Sequence, residues 1–337
     1  MHKSGIEMKN ILTHLFEYKH LSKDQAKYVL TGMARGEYNP AQMAAFMTAF
    51  VMRNITVGEL EGFRDALLEL RVPIDLSDFD PMDVCGTGGD GKDTFNISTL
   101  SCFVVAAAGQ NVAKHGNHGV SSHCGSSTVL EYFGAPFTNN EDLLKRQIDS
   151  SGVCFLHAPL FHPALKNVGP IRGQLGIKTF FNILGPMVNP ALPGKQLVGV
   201  FNLEIMRLYS YLYQLTDKKF LVVHGLDGYD EVSLTGPFKI STPEKDEVIH
   251  PGDLGFPLLD PVALSGGETV QDSARIFEAV LKNEATEAQK QVVIANAGLA
   301  LYAADPGSSL EDSIARAREA LESGKALQHF KRFLEAS

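Results

Sequence analysis

The 337 residues are 44% hydrophobic and 20% charged, a balance that supports a large buried core in one large domain or two unequal ones. A net charge of -9 argues against nucleic-acid binding through the phosphate backbone, which needs a basic face, and no apolar run approaches the roughly 20 residues that span a bilayer. Cys85, Cys102, Cys124 and Cys154 have neither CxxC spacing nor disulfide-scaffold density, and the opening MHKSGIEMKN lacks a signal peptide's apolar core, so a cytoplasmic protein is expected.

From Met8 to Val72 the pattern is helical. Ser22 with Gln25 and Thr56 with Glu59 form capping-box patterns, and Pro40 suits a helix first turn, which sets boundaries near Lys19, Gly36 and Asn54. Met43, Phe46, Met47, Phe50 and Val51 recur at helical spacing and read as helix-helix core. The segment Pro73 to Pro81, with two prolines and three aspartates, reads as a linker.

Asp83 to Gly134 is the most informative stretch. An apolar strand ending at Cys85 enters the loop Gly86-Thr87-Gly88-Gly89-Asp90-Gly91, and regular structure resumes at Asn96-Ile97-Ser98-Thr99. Glycines there turn backbone N–H groups toward a ligand, and the next helix N-terminus adds positive partial charge, so the expected ligand is an anion, most simply a phosphate. Asp90 would repel a bare phosphate, which implies a ligand with hydroxyls as well and a bridging Mg²⁺. A second unit follows. The strand Asn111-Val112-Ala113 delivers Lys114, His115, Gly116 and Asn117 onto a loop, and Ser121, Ser122, Gly125 and Ser126 lead into a helix from Thr128 to Phe133. Two anion sites suggest a ligand charged at both ends.

Further along, Asn140 caps a helix from Glu141 to Ser150, Val153 to Leu156 reads as a strand, and His162 to Leu175 reads as a helix. Strands Gln196 to Phe201 and Phe220 to Val223 flank a helix from Glu204 to Leu215. Tyr229 to His250 reads as short antiparallel strands or loop, and the chain is helical from Ser273 onward with a stop at Gly324. Alternation of strands and helices predicts an α/β fold with a mostly parallel central sheet flanked by helices. The expected organisation is a small helical domain over residues 1–75, which later helices can join, and a catalytic α/β domain over 76–337.

Asp230 and Glu231 follow the turn-rich His224-Gly225-Leu226-Asp227-Gly228, beyond the carboxyl end of a strand, where parallel sheets place ligands. On a loop, adjacent carboxylates can reach one hard cation; a solvated acidic turn is the alternative. His115, His118, His123 and Cys124 have zinc-ligand chemistry, but their spacing fits neither a helical pair nor a zinc knuckle. There is no Gly-x-Ser-x-Gly elbow or Walker lysine loop, and GTGGDG lacks the dinucleotide spacing.

The ordered motifs GTGGDG, TFNIST, KHGN, VSS and GSSTVLEYFG resemble the anthranilate phosphoribosyltransferase family, and the likeness runs over nearly the whole chain. The resemblance implies a nucleoside-phosphorylase-like architecture and transfer of the phosphoribosyl group of 5-phosphoribosyl diphosphate (PRPP) to anthranilate in tryptophan biosynthesis. It implies substrate contacts among Gly86, Gly89, Asp90, Thr94, Asn96, Ile97, Ser98, Thr99, Lys114, His115, Gly116, Asn117, Ser121, Ser122 and Ser126. Gly86 and Asn117 would also meet the aminobenzoate, whose carboxylate would be held by Arg172 in Gly169-Pro170-Ile171-Arg172-Gly173. Mg²⁺ would be bound by Asp230, Glu231 and Ser98, and a homodimer would form through the helical domain. The chain departs from the family at His118, often arginine, at His123, often lysine, and at Ser127-Thr128, often Ala-Asp.

Two rival readings follow. A pyrimidine nucleoside phosphorylase shares the fold and the lysine-serine phosphate loop, but that family carries a longer chain and lacks the adjacent Asp-Glu pair. A non-catalytic paralogue that binds nucleic acid would be basic and would have lost the carboxylates.

Overall fold

The structure is a computed structural model that describes residues 7–119 and 124–336; the expectations for Ser121, Ser122 and His123 lie outside these residues. The chain divides into two compact units, one made of Met1–Val72 and Pro159–Pro190, the other of Pro73–Ala158 and Ala191–Ser337. No helix among the described residues is long and apolar enough to cross a membrane.

In the helical unit, helices Met8–Phe16, Lys23–Arg35, Pro40–Met52 and Val57–Leu70 start where the capping residues dictate. Ser22 with Gln25, Asn39 with Gln42 and Thr56 with Glu59 each close a reciprocal capping box, which satisfies amides that have no partner inside the helix. Met43, Phe46, Met47 and Phe50 are buried as the periodicity requires, whereas Val51 is exposed. The segment that completes this core comes from mid-chain. Phe180 stacks on Phe63 with ring centroids 4.3 Å apart and meets Phe46 and Phe50 edge-on. Backbone and side-chain bonds tie the return: Val72 N–H donates to Phe161 O at 2.8 Å, and Asn167 Nδ2 donates to Ala34 O at 2.7 Å. The expected helix from His162 to Leu175 is broken. A 3-10 turn Pro163–Asn167 and a short helix Gly169–Leu175 replace it, because Pro170, in the interior of the expected helix, lacks the amide that a continuous helix would use.

The second unit is built on one sheet. Its strands among the described residues are β1 (Met82–Gly86), β2 (Val112–Gly116), β3 (Val153–His157), β4 (Lys195–Gly199), β5 (Lys219–Gly225), β6 (Phe238–Ser241) and β7 (Asp246–Ile249). Their spatial order is β3-β2-β1-β4-β5-β6-β7. β3, β2, β1, β4 and β5 run parallel, and β6 and β7 add an antiparallel edge. The parallel strands are almost wholly buried, which fits a sheet covered by helices on both faces. Helices Ile97–Ala107 and Glu287–Ala304 are buried along most of their length, and the late helices Val270–Leu281, Leu310–Glu322 and Lys325–Glu335 belong to this unit rather than to the helical one. The chain leaves β1 toward β2 on one side and returns through β4 on the other, so strand order reverses between β1 and β4. In open parallel sheets a ligand crevice forms at such a reversal, beyond the carboxyl ends of the strands.

Candidate active site

The residues that follow the carboxyl ends of β1, β2 and β5 converge at that crevice. After β1, the glycine loop holds consecutive positive φ angles at Gly88 (65°) and Gly89 (79°), a backbone shape that points successive amides to one side and favours anions. The loop is tied across the switch point, where Thr87 N–H donates to Gly199 O at 2.9 Å. Asp90 caps its own turn by accepting from Lys92 N–H at 3.1 Å.

After β5 the chain turns back over the sheet and brings Asp230 and Glu231 to the two anion-directed elements. Asp230 Oδ2 accepts from Gly88 N–H at 2.6 Å, and Glu231 Oε1 accepts from Ser98 N–H at 3.0 Å in the first turn of helix Ile97–Ala107. The crossing depends on missing side chains. A Cβ on Gly199 would lie 1.5 Å from Asp230 O, and one on Gly86 would lie 2.5 Å from Asp230 Oδ2. This also explains why β4 ends at Gly199 rather than continuing to Phe201 as expected: the crossing segment occupies the space a longer strand would need.

The carboxylates sit in an unfavourable setting. Burial, then the charge of Asp90, pushes Asp230 up to about 7 against the Gly88 amide bond and its own backbone amide. Burial, then the charges of Asp230 and Asp90, pushes Glu231 well above its ordinary range despite Ser98 N–H and Lys114. Lys114 is buried, with its ammonium donating to Val84 O at 2.7 Å and Ser98 Oγ at 3.4 Å. A divalent cation would remove the repulsion, and the oxygen donors of Asp230, Glu231 and Ser98 fit a hard ion. Among the described residues no three His, Cys, Asp or Glu side chains form a closed metal cage. Mg²⁺ commonly takes one or two carboxylates and completes its shell with water and substrate phosphate, so the open donor set suits it.

The remaining expected residues fall into three groups. Asn96 stands at the N-cap without a side-chain cap bond; its Nδ2 donates to Cys124 O at 2.9 Å, and its buried Oδ1 has no partner among the described residues, an acceptor available to a ligand hydroxyl. Ile97 and Thr99 have buried side chains, so they offer the site backbone rather than side-chain chemistry, and Thr94 pairs with Ser265 in a bridge. The expected strand Asn111 to Ala113 instead runs from Val112 to Gly116, so Lys114, His115 and Gly116 lie on β2 paired with β3 rather than on a loop, and His115 N–H donates to Asp83 Oδ1 at 3.3 Å. Asn117 O accepts from Ser127 N–H at 3.1 Å and Ser126 Oγ at 3.2 Å, which joins the end of β2 at Gly116 to the start of helix Ser126–Tyr132. His118 Nδ1 lies 3.3 Å from Thr128 Oγ1, so the two positions that depart from the family pattern touch each other. Arg172 lies in the helical unit on helix Gly169–Leu175, its guanidinium 5.0 Å from the Phe181 ring centroid; burial lowers its pKa from the ordinary arginine value.

The buried Asp230 and half-buried Glu231, beside the glycine-loop and helix-start amides at the switch point of a parallel sheet, fit an enzyme site for an anionic ligand carrying a hard cation. Comparison with known proteins narrows it. Residues 9–70 match the helical bundle domain of the glycosyl transferase family, and residues 79–327 match its a/b domain. The chain is 56% identical over 325 residues to the anthranilate phosphoribosyltransferase of Cytophaga hutchinsonii, covering 96% of this chain and 99% of that one. It is 54% identical to the enzyme of the same name from Bacteroides fragilis, covering 97% and 99%. Among solved structures, anthranilate phosphoribosyltransferase from Thermus thermophilus superposes with a TM-score of 0.90 at 33% identity, covering 96% of this chain and 98% of that one. The Saccharomyces cerevisiae enzyme in complex with PRPP and Mg shares the fold with a TM-score of 0.88 at 24% identity, covering 98% and 97%. The chain belongs to the anthranilate phosphoribosyltransferase family.

Proposed function

We propose that this chain joins anthranilate to the ribose C1 of PRPP and releases diphosphate, the reaction of its family in tryptophan biosynthesis. The observation that supports the assignment is the tie of Asp230 to Gly88 N–H and of Glu231 to Ser98 N–H, which brings two carboxylates to the glycine loop and the helix start. The amides of the Gly86 to Gly91 loop and of the Ile97–Ala107 helix start take the charged oxygens of PRPP. Asp90 and Asn96 Oδ1 take its hydroxyls. At the carboxyl end of β2 and the start of helix Ser126–Tyr132, Lys114, Gly116, Asn117 and Ser126 frame the other charged end, and His115 lies beside them. Asp230, Glu231 and Ser98 would hold Mg²⁺, which would supply countercharge for the diphosphate leaving group.

The transition state has oxocarbenium character, and the aromatic amine of anthranilate attacks as diphosphate departs. Among the proposed contacts no side chain acts as a covalent nucleophile. Orientation of the two substrates and electrostatic stabilisation provide the acceleration. Arg172 takes the anthranilate carboxylate through its planar fork, with Gly86 and Asn117 as further contacts of the ring. Arg172→Ala is expected to raise the anthranilate KM about 10- to 100-fold, as for loss of a charged hydrogen bond. An effect confined to PRPP would remove it from that role. The helical unit exposes Phe16, Tyr18 and Met52, apolar surface suited to a second copy of the chain, so a homodimer is the expected state and sedimentation at micromolar concentration reads it.

The assay for the activity follows anthranilate fluorescence. Loss of signal is expected only when PRPP and Mg²⁺ are both present. Phosphorolysis of thymidine without added Mg²⁺ would instead favour a nucleoside phosphorylase.

A further inference from the structure

The two carboxylates stand on a segment that has no regular secondary structure: residues 229–237 lie between β5 and β6 and join no strand or helix. Nothing in the segment's own backbone fixes where Asp230 and Glu231 point. It even carries a local cost, because the buried Leu234 adopts φ 59°, a left-handed conformation that a branched side chain disfavours. Its position must therefore be imposed from outside.

On the amino-terminal side the close approach to Gly199 does this. On the carboxyl-terminal side the side chain of Asn296 does so nearest the carboxylates, and further along Leu259 N–H donates to Leu234 O and Leu226 N–H to Pro237 O, each at 2.9 Å. Val232 N–H donates to Asn296 Oδ1 at 3.0 Å, and Asn296 Nδ2 donates back to Val232 O at 2.9 Å and also to Val292 O at 2.8 Å. Asn296 is 3% exposed, in the apolar run Val292–Leu301 of helix Glu287–Ala304, and it uses one acceptor and both amide hydrogens in this one arrangement. It pairs with Val232 as a neighbouring strand would, directly after the residue whose carboxylate reaches Ser98.

We propose that Asn296 is a positioning residue for the cation site: its amide clamps Val232 and so sets the direction of Glu231 and Asp230. The inference rests on the reading of Asp230 and Glu231 as metal ligands. A metal site requires its ligands held to fractions of an ångström, and partners one step behind the ligands typically change affinity about 10- to 100-fold when removed. A buried asparagine that only satisfied a backbone pair would affect stability and leave metal affinity alone.

The test measures Mn²⁺ binding by the electron paramagnetic resonance signal of the free ion, with PRPP present and anthranilate absent. Asn296→Ala and Asn296→Gln are expected to weaken Mn²⁺ binding about tenfold or more. The glutamine variant keeps a buried amide one methylene away, so it decides the matter if the alanine variant does not fold. Val293→Ala, a buried neighbour on the same helix with no part in these bonds, is expected to lower Tm and leave Mn²⁺ binding within about twofold of wild type. Wild-type Mn²⁺ affinity in a folded Asn296 variant would overturn the proposal. Asp230→Asn separates the two readings: it is expected to lose Mn²⁺ binding, and if it binds as wild type does, the assignment of the carboxylates as ligands fails and this proposal with it.

Discussion

The two units each bury carboxylates, in opposite settings. In the helical unit Glu59 is fully buried, and its oxygens accept from Leu21 N–H at 2.8 Å, Thr56 N–H at 2.9 Å and the Arg53 guanidinium at 3.1 Å. Burial works to raise its pKa, but the Arg53 bond and the two backbone amides outweigh it and hold the group below its ordinary range. In the α/β unit Asp230 is raised by burial and by Asp90, and Glu231 by burial and by Asp230 and Asp90. One carboxyl group is complete within the protein; the other two lack a positive partner of matching charge. A buried charge supplied with all its partners serves the fold, whereas a cluster left with net negative charge is poised for a cation brought by solvent or substrate.

This contrast can be broken most sharply at the pair itself. Asp230→Asn combined with Glu231→Gln is expected to cut turnover on the order of 10³-fold or more while leaving a folded protein, read by anthranilate fluorescence and by Tm. Retained turnover would remove the pair from the metal site. The reverse experiment is Glu59→Ala, which strands the Arg53 charge and two buried amides. It is expected to cost about 3–5 kcal/mol in urea unfolding with the kcat of the remaining folded enzyme unchanged. A loss below about 1 kcal/mol would show that the Glu59 network is not structural. Gly86→Ala is a smaller perturbation, since the new Cβ meets Asp230 Oδ2 and must displace it. A decrease of about 10- to 100-fold in kcat/KM for PRPP is expected from such misplacement, and an unchanged value would show that the carboxylate can move without consequence.

Much of this was legible because it is local. Ser22, Gln25, Thr56 and Glu59 announce helix starts through bonds that span three residues, and the glycine loop and the Asp230-Glu231 pair follow strand ends, whereas Lys114 stands inside β2 rather than beyond it. What escaped depends on contacts distant in sequence. The return of Pro159–Pro190 to the helical unit is accompanied by Phe180 meeting Phe63, more than a hundred residues away, although Pro170 already marked the broken helix. Gly199 looks like any strand-end glycine until Asp230 crosses it. Asn296 left a faint signal as a lone polar residue in the run VVIANAGLALYAA, but its partner is main chain and has no side-chain signature.

The most direct test of the contrast is Tm against pH for metal-free protein, comparing wild type with Asp230→Asn/Glu231→Gln. A carboxyl whose folded pKa is raised adds stability that is fully present below its unfolded value and is lost as pH rises through the folded one. For Asp230 that window runs from the ordinary carboxylate range up to about 7. Glu59, held low, contributes in the opposite sense, with stability lost only as pH falls below the ordinary range, and it is common to both proteins. Wild type is therefore expected to lose Tm relative to the double variant as pH rises toward 7, and Mg²⁺ with PRPP is expected to abolish that loss. Parallel curves for the two proteins, or a wild-type slope that Mg²⁺ with PRPP leaves untouched, would contradict a carboxylate pair kept short of a cation.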